Sequence, residues 1–461
     1  MTIRREFLIA AVTLFGVACS DTSGPSTPPV AEATLDAQVR STIGGWGVLP
    51  ILPMRPGDPA LVDLGRMLFF DKELSGNRDV SCATCHSPLT SAGDARSLAI
   101  GTGAIVANGV RQLGPGRQFT PRNAPSLFNA ALGSFYMFWD GRVTEELGPG
   151  RFQAPAGVIL PSGLATLLAA QAMIPVTNRV EMRGLAGDKD VSGNTNELAT
   201  IADTDNVAIW SAVMRRLLAI PGYQQKFKAA YPGVPESALG FQHAANALAA
   251  FEAQTFTRTN SAFDRFLAHD DNAMTVEAKR GALLFFGQAR CSTCHNGPML
   301  GQQTFASVAV PQLGPGTGKA APLDAGREDQ FGATRGQPGQ PFAFRVAALR
   351  NVELTAPYFH NGAYPTLEAV VRHYSNVDSA LKAYDPSQLD PAIRPSYHGE
   401  SATLNKLLDA LDGRLRGSGL GLTPDDQKNL VAFLKSLTDP SARDMSAVIP
   451  ASVPSGLPVR D

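Results

Sequence analysis

Cys82-Ala83-Thr84-Cys85-His86, repeated as Cys291-Ser292-Thr293-Cys294-His295, is the stretch that decides the fold. C-x-x-C-H is the attachment signature of c-type haem. The spacing lets two thiols form thioethers with the vinyl groups on one porphyrin edge. The adjacent histidine is then held beneath the iron as the proximal ligand. Disulfide exchangers and zinc sites also use C-x-x-C, but two copies in an exported chain with no other Cys outside the leader oppose both, and an exchanger would not need a histidine after both pairs. The chain has 5 Cys, and the fifth, Cys19, falls in the leader. Two covalently bound haem c groups are therefore expected, one on Cys82, Cys85 and His86, the other on Cys291, Cys294 and His295.

Working outward, the two motifs have similar surroundings, as a duplicated domain would. Asp63-Leu64-Gly65-Arg66-Met67-Leu68-Phe69-Phe70 precedes the first. Lys279-Arg280-Gly281-Ala282-Leu283-Leu284-Phe285-Phe286 precedes the second. Both read as a short amphipathic helix delivering the chain to its haem. The motifs lie far enough apart for each to own a domain: 46–255 for the first haem, 256–440 for the second, with a tail at 441–461. His243 to Leu267 reads as one helix ending the first domain and leading into the second. Leu404 to Leu437, broken by Gly417-Ser418-Gly419, reads as two closing helices. Thr423-Pro424-Asp425-Asp426 is a helix start, with an N-cap Thr, Pro at N1 and acids in the first turn. Few stretches alternate like strands. With 44 Gly and 34 Pro in 461 residues, a mainly α protein with long irregular loops is expected.

The N-terminus reads as an export signal over residues 1–19. Arg4 and Arg5 precede an apolar run, Phe7 to Ala18, too short to span a bilayer. Gly16-Val17-Ala18-Cys19 resembles a lipoprotein cleavage box, with Gly where Leu is usual. A lipid on Cys19 and a periplasmic, membrane-tethered protein are expected, with an ordinary cleaved signal as the alternative. Arg4-Arg5-Glu6-Phe7-Leu8 also resembles a twin-arginine signal, but c-type haem is normally attached outside the cytoplasm to a chain that arrives unfolded. Ser20 to Pro29 reads as a flexible tether, which the domain division extends over 20–45. Lys+Arg (40) balance Asp+Glu (41). No basic surplus points to nucleic acid, and no acidic run suggests a solvating tail.

From about Asp63 to Leu437 the chain resembles the bacterial di-haem cytochrome c peroxidases and their MauG-type relatives. The most specific blocks are DLGRMLFFDKELSGNRDVSCATCH, PRNAPSLFNA, FWDGR, GALLFFGQARCSTCH and ALRNVELTAPYFHNG. The resemblance implies two α-helical, cytochrome c-like domains facing each other, the first haem reacting with peroxide and the second handling electrons. It also implies roles for particular residues. Glu181 matches the acid–base residue of the first haem, and Gln171 a neighbouring polar group. Outside that block Glu181 would be read as a solvated surface acid. An insert near Gly148–Leu167 separates Gln171 from Trp139. Trp139, in Phe138-Trp139-Asp140-Gly141-Arg142, matches the tryptophan between the haems; it also fits a core aromatic. Asn123, Thr355 and Pro357 match positions that hold a calcium ion between the domains, which suits backbone oxygens. His360 is expected near the second haem. His243, His269 and His398 read as solvated or capping residues.

Two departures from the peroxidase pattern matter. Many members carry a distal His in an Ile-Gly-His-Gly context, which caps the first iron until the second haem is reduced. Here the text is Ile100-Gly101-Thr102-Gly103, and Thr102 is a poor ligand. The first iron is therefore expected to be open in every redox state. Peroxidases also ligate the second haem with a Met after the YFHxG block. Here Tyr374 stands there, as in MauG-type members, and tyrosine oxygen is a known haem ligand. His373 is the rival ligand. Neighbours on a helix point about 100° apart, so both cannot face one iron; the surplus His373 is expected at the surface.

The resemblance thus implies a peroxide-dependent oxidoreductase of the MauG-like branch. Its reductant would be a small cytochrome c or cupredoxin, or a residue of a protein substrate. The alternative from another class is a non-enzymatic electron-transfer or sensor cytochrome. An open first iron and Glu181 oppose that alternative, since a pure carrier gains from six-coordinate irons.

Overall fold

The computed structural model describes residues 30–145, 148–155, 158–301, 304–328 and 340–461. The expected export signal, Cys19 and the tether Ser20–Pro29 lie outside them. Among the described residues the chain is mainly helical. Its named strands form three two-stranded ribbons, at Ile105–Ala107 with Val110–Gln112, Tyr136–Met137 with Val143–Thr144, and Phe305–Ala306 with Phe344–Arg345. No described helix is long and apolar enough to cross a membrane.

Two hydrophobic cores repeat one packing unit. In the first, the helix Pro59–Phe70 lies against Phe241–Phe256; in the second, Val276–Phe286 lies against Pro424–Ser436. Glycine permits each crossing. A Cβ on Gly65 would stand 1.9 Å from the Ala247 carbonyl oxygen and 2.8 Å from Phe251 Cβ. A Cβ on Gly281 would stand 1.9 Å from the Asn429 carbonyl oxygen and 2.8 Å from Phe433 Cβ. The aromatic packing repeats too. Phe69 meets Phe251 at 5.2 Å and 54°, and Phe285 meets Phe433 at 5.0 Å and 54°. Such tilted pairs suit the ring quadrupoles. The duplication legible around the motifs is thus a duplication of three-dimensional contacts.

Three segments differ from expectation. Residues 30–44 are not tether but the helix Val30–Gly44, which packs on Val276–Phe286. Val39 and Ile43 join the second core, and buried Asp36 pairs with Lys279 at 2.6 Å. The segment 441–461 crosses the other way. Ala442, Met445 and Val453 join the first core, Arg66 donates to the Val448 carbonyl at 2.8 Å, and Asp461 pairs with Lys72 and Arg111, both at 2.7 Å. The helix expected over His243–Leu267 is two helices, Phe241–Phe256 and Ala262–Leu267. Ser261 starts the second by capping Asp264, which caps Ser261 in return. The closing helices are Ser401–Asp409 and Pro424–Ser436, and Thr423 caps the latter as its sequence predicts.

Candidate functional site

Each C-x-x-C-H forms one tight turn. Cys82–Cys85 is a single helical turn begun by Ser81, and Cys291–Thr293 is a 3-10 turn. The histidine amide donates to the carbonyl of the first cysteine in both, at 2.9 Å for His86 and 2.8 Å for His295. Each ring is then oriented by a backbone oxygen. His86 Nδ1 lies 3.3 Å from the Ala92 carbonyl and His295 Nδ1 3.1 Å from that of Leu300. A carbonyl only accepts, so Nδ1 carries the proton and Nε2 keeps its lone pair. This is the tautomer a metal-ligating histidine needs. Burial holds both rings below the usual histidine range, His295 at about 4. Within each motif the two cysteines are not joined to each other by a disulfide. Burial pushes Cys82 and Cys291 up to about 12. The residues fit two covalently held haems.

The second motif opens on a cavity of about 270 Å³ that also runs to the first domain. Cys291, Cys294, His295, Tyr374, Trp139 and His360 all line it. Tyr374, on the helix Leu367–Ser375, lies close enough to both cysteines for their charges to affect its phenol, whose pKa is raised first of all by burial. His373 faces elsewhere. It is fully buried, not at the surface as expected: its Nε2–H donates to the Val308 carbonyl at 2.8 Å, and Nδ1 lies 2.9 Å from the Tyr364 hydroxyl. Of these two neighbours on one helix, Tyr374 lines the cavity and His373 does not. His360 is buried and stacks on Phe344 at 3.6 Å. Its Nε2 has no partner, and burial lowers its pKa to about 3.

Trp139 joins the domains. Its indole N–H donates to the Asn123 carbonyl at 2.9 Å, and its own carbonyl accepts from the Arg345 amide at 2.7 Å. Next to it, buried Asp140 accepts from Arg122, which reaches across to Asp324 in the second domain at 2.7 and 2.9 Å. Asn123, Thr355 and Pro357 line the same inter-domain cavity. Asn123 Nδ2 donates to the Arg96 carbonyl at 2.7 Å, leaving its side-chain oxygen for another donor or a cation. Among the described residues no group of three or more His, Cys, Asp or Glu could hold a metal ion.

Glu181 sits in a π-helical turn, Arg179–Arg183, a rare conformation frequent at functional sites. It is no solvated surface acid. Its Oε2 is sealed from solvent without a partner. Burial raises its pKa, with Arg142 opposing, and its charge acts on the Cys85 thiol of the first motif. Gln171 lies on the preceding helix, Leu167–Ala172, and is half-buried. Thr102 is buried, and its hydroxyl donates to Asp79 at 2.6 Å. Glu252 was not singled out by sequence. It is a buried acid on Phe241–Phe256 whose charge reaches Cys82, and burial raises its pKa to about 8. Its place among Ala and Phe on a helix pattern was the available signal.

Comparison with known proteins places the chain in a family. Residues 59–272 match the family model described as di-haem cytochrome c peroxidase. The chain is 32% identical to the cytochrome c551 peroxidase of Pseudomonas aeruginosa, covering 85% of this chain and 82% of that one. It is 30% identical to the methylamine utilization protein MauG of Methylorubrum extorquens, covering 69% of each. Among solved structures it resembles a MauG-like protein associated with microbial copper homeostasis, at 25% identity and a TM-score of 0.56 over 87% of this chain and 95% of that one. The di-haem peroxidase BthA of Burkholderia thailandensis shares the fold, at 22% identity and a TM-score of 0.55 over 89% of this chain and 92% of that one. Two cytochrome c-like domains with paired haem-attachment motifs define a di-haem c-type oxidoreductase. The chain belongs to the di-haem cytochrome c peroxidase and MauG family, enzymes that use two haem c groups.

Proposed function

We propose that this protein is an exported, periplasmic enzyme that reduces hydrogen peroxide at its first haem site and exchanges electrons through its second. The carrying observation is Glu181, half-buried with its Oε2 sealed from solvent and unpartnered, whose charge reaches Cys85 of the first motif. Haem iron, when bound, supplies the peroxide and one-electron chemistry. His86 and His295, with Nδ1 held by backbone carbonyls, would hold the two haem irons through Nε2. Glu181, as carboxylate, would accept a proton from peroxide and return it to the departing oxygen, with Gln171 as a polar neighbour. Trp139, hydrogen-bonded to both domains, lies on the electron path. Tyr374 would hold the second haem iron through its phenol oxygen, a ligand that would favour higher oxidation states, and His360 would offer Nε2 to a haem carboxylate or water. Calcium at Asn123, Thr355 and Pro357 would be held by neutral oxygens. Through Asn123 it would stiffen the support of Trp139. The reductant is a small redox protein, cytochrome c or cupredoxin, or an oxidisable residue of a protein substrate. A lipid on Cys19 would keep the enzyme at the membrane.

The test is turnover. Purified protein should carry two haems that survive acid-acetone extraction and should consume peroxide when a small cytochrome or a co-purifying protein is supplied. A change in that protein's mass would identify a substrate rather than an electron donor. Two retained haems with no peroxide consumption would make it a carrier or sensor.

A further inference from the structure

The π-helical turn bearing Glu181 is gripped between two loops at backbone distance. On one side the Gly76 amide donates to the Met182 carbonyl at 2.7 Å, and a Cβ on Gly76 would fall 1.9 Å from the Arg183 oxygen. On the other the Thr102 amide donates to the Glu181 carbonyl at 3.0 Å, and a Cβ on Gly101 would fall 2.0 Å from the Val180 oxygen. Neither loop could approach this closely with a side chain at its glycine. One residue ties the two loops together. Asp79, three positions after Gly76, accepts the Thr102 hydroxyl on Oδ1 and the Gly103 amide on Oδ2, each at 2.6 Å. Charged donors outside brace the same loops. Arg117, whose guanidinium packs over Gly103, pairs with Asp188 at 2.6 Å. Arg111 donates to the Gly101 carbonyl at 2.9 Å and pairs with Asp461. Asp188 and the C-terminal Asp461 thus brace, through Arg117 and Arg111, the loops behind Glu181.

We infer that Asp79 is a positioning residue for the peroxide reaction, fixing the Glu181 turn through Thr102 and Gly103. Two short hydrogen bonds to one carboxylate are strong because the acceptor is charged. They cross-link loops that the chain separates by more than twenty residues. The residue that makes the first site ungated, Thr102, is thus also the one that holds its acid–base group in register. A misplacement of about 1 Å at a catalytic group costs roughly a hundredfold in rate, so the tie can govern reactivity without touching peroxide.

This inference rests on Glu181 being the acid–base residue, and a double-mutant cycle separates the two. The reading is the rate at which the fully ferric holoprotein reacts with hydrogen peroxide. Asp79→Ala should slow it roughly ten- to a hundredfold, with the low-spin spectrum of the second haem unchanged. In the Glu181→Gln background the same substitution should add less than about twofold, because coupled residues are not additive. Thr102→Val removes one of the two bonds at constant shape and should give a smaller loss in the same direction. It carries the test if Asp79→Ala accumulates poorly. Equal losses in both backgrounds would assign Asp79 to general stability and overturn the inference. So would wild-type rates in both Asp79→Ala and Thr102→Val while Glu181→Gln is slow. A fast Glu181→Gln variant would instead remove the acid–base reading, and the inference with it.

Discussion

His373 Nδ1 lies 2.9 Å from the hydroxyl oxygen of Tyr364, and the pair is buried. Because Nε2–H donates to the Val308 carbonyl, Nδ1 is the acceptor and the tyrosine hydroxyl the donor. Burial holds the ring neutral, with a pKa near 4. Both nitrogens of His373 are spent on structure, and Tyr374, one residue on, is left facing the second motif.

Tyr374→Phe should therefore convert the low-spin second haem to a high-spin one, as read by electron paramagnetic resonance. His373→Ala should keep the low-spin signal and lower stability, since it orphans a buried hydroxyl and carbonyl at roughly 1–3 kcal/mol each. The wild-type spectrum should lack a sulfur-to-iron charge-transfer band. Loss of the low-spin signal in His373→Ala alone would reverse the assignment.

With Thr102 bonded to Asp79, no side chain at that position is free to cap the first iron. Diferric protein mixed with peroxide in stopped flow should react without prior reduction. Its resting spectrum should show one high-spin and one low-spin haem. A diferric enzyme inert until one electron is added would mean that another ligand closes the site.

Glu181→Gln should leave both haems in place and slow the peroxide reaction by roughly 10²–10⁴. The pH profile follows from the direction of its shift. Glu181 must be ionised to accept the peroxide proton, and burial raises its pKa. The rate should fall as pH drops, with its acid limb above the ordinary glutamate value of about 4.3. Glu181→Gln should flatten that limb. A wild-type profile flat down to pH 4 would count against the role.

Glu252 gives a stability prediction. Its pKa is about 8 in the fold, against about 4.3 unfolded. The folded state holds the proton longer, so stability is full below the unfolded value and declines as pH rises towards 8, by about 1.4 kcal/mol per unit within that window. Glu252→Gln should remove this decline. Thermal melts should show the variant matching wild type near pH 4 and exceeding it at pH 8. Equal melting points at both pH values would show that the carboxyl finds a partner in the holoprotein.

The sequence by itself determined what short-range covalent geometry can carry. C-x-x-C-H places two thiols and an imidazole within one turn, so both haem sites were legible without a fold. Apolar spacing around Phe69-Phe70 and Phe285-Phe286 marked the helices, and Thr423-Pro424 marked a start, because caps and amphipathic faces are local properties. Glu181, Trp139 and Tyr374 were singled out through matching blocks, not through their own surroundings. Only the tertiary structure decided which of His373 and Tyr374 faces the second motif, since that depends on Val308 and Tyr364 arriving from elsewhere in the chain. It alone showed that residues 30–44 belong to the second core and 441–461 to the first. It alone brought Asp79 to Thr102, because a two-oxygen acceptor selects its donors by position in space, and nothing in the order of residues records that distance.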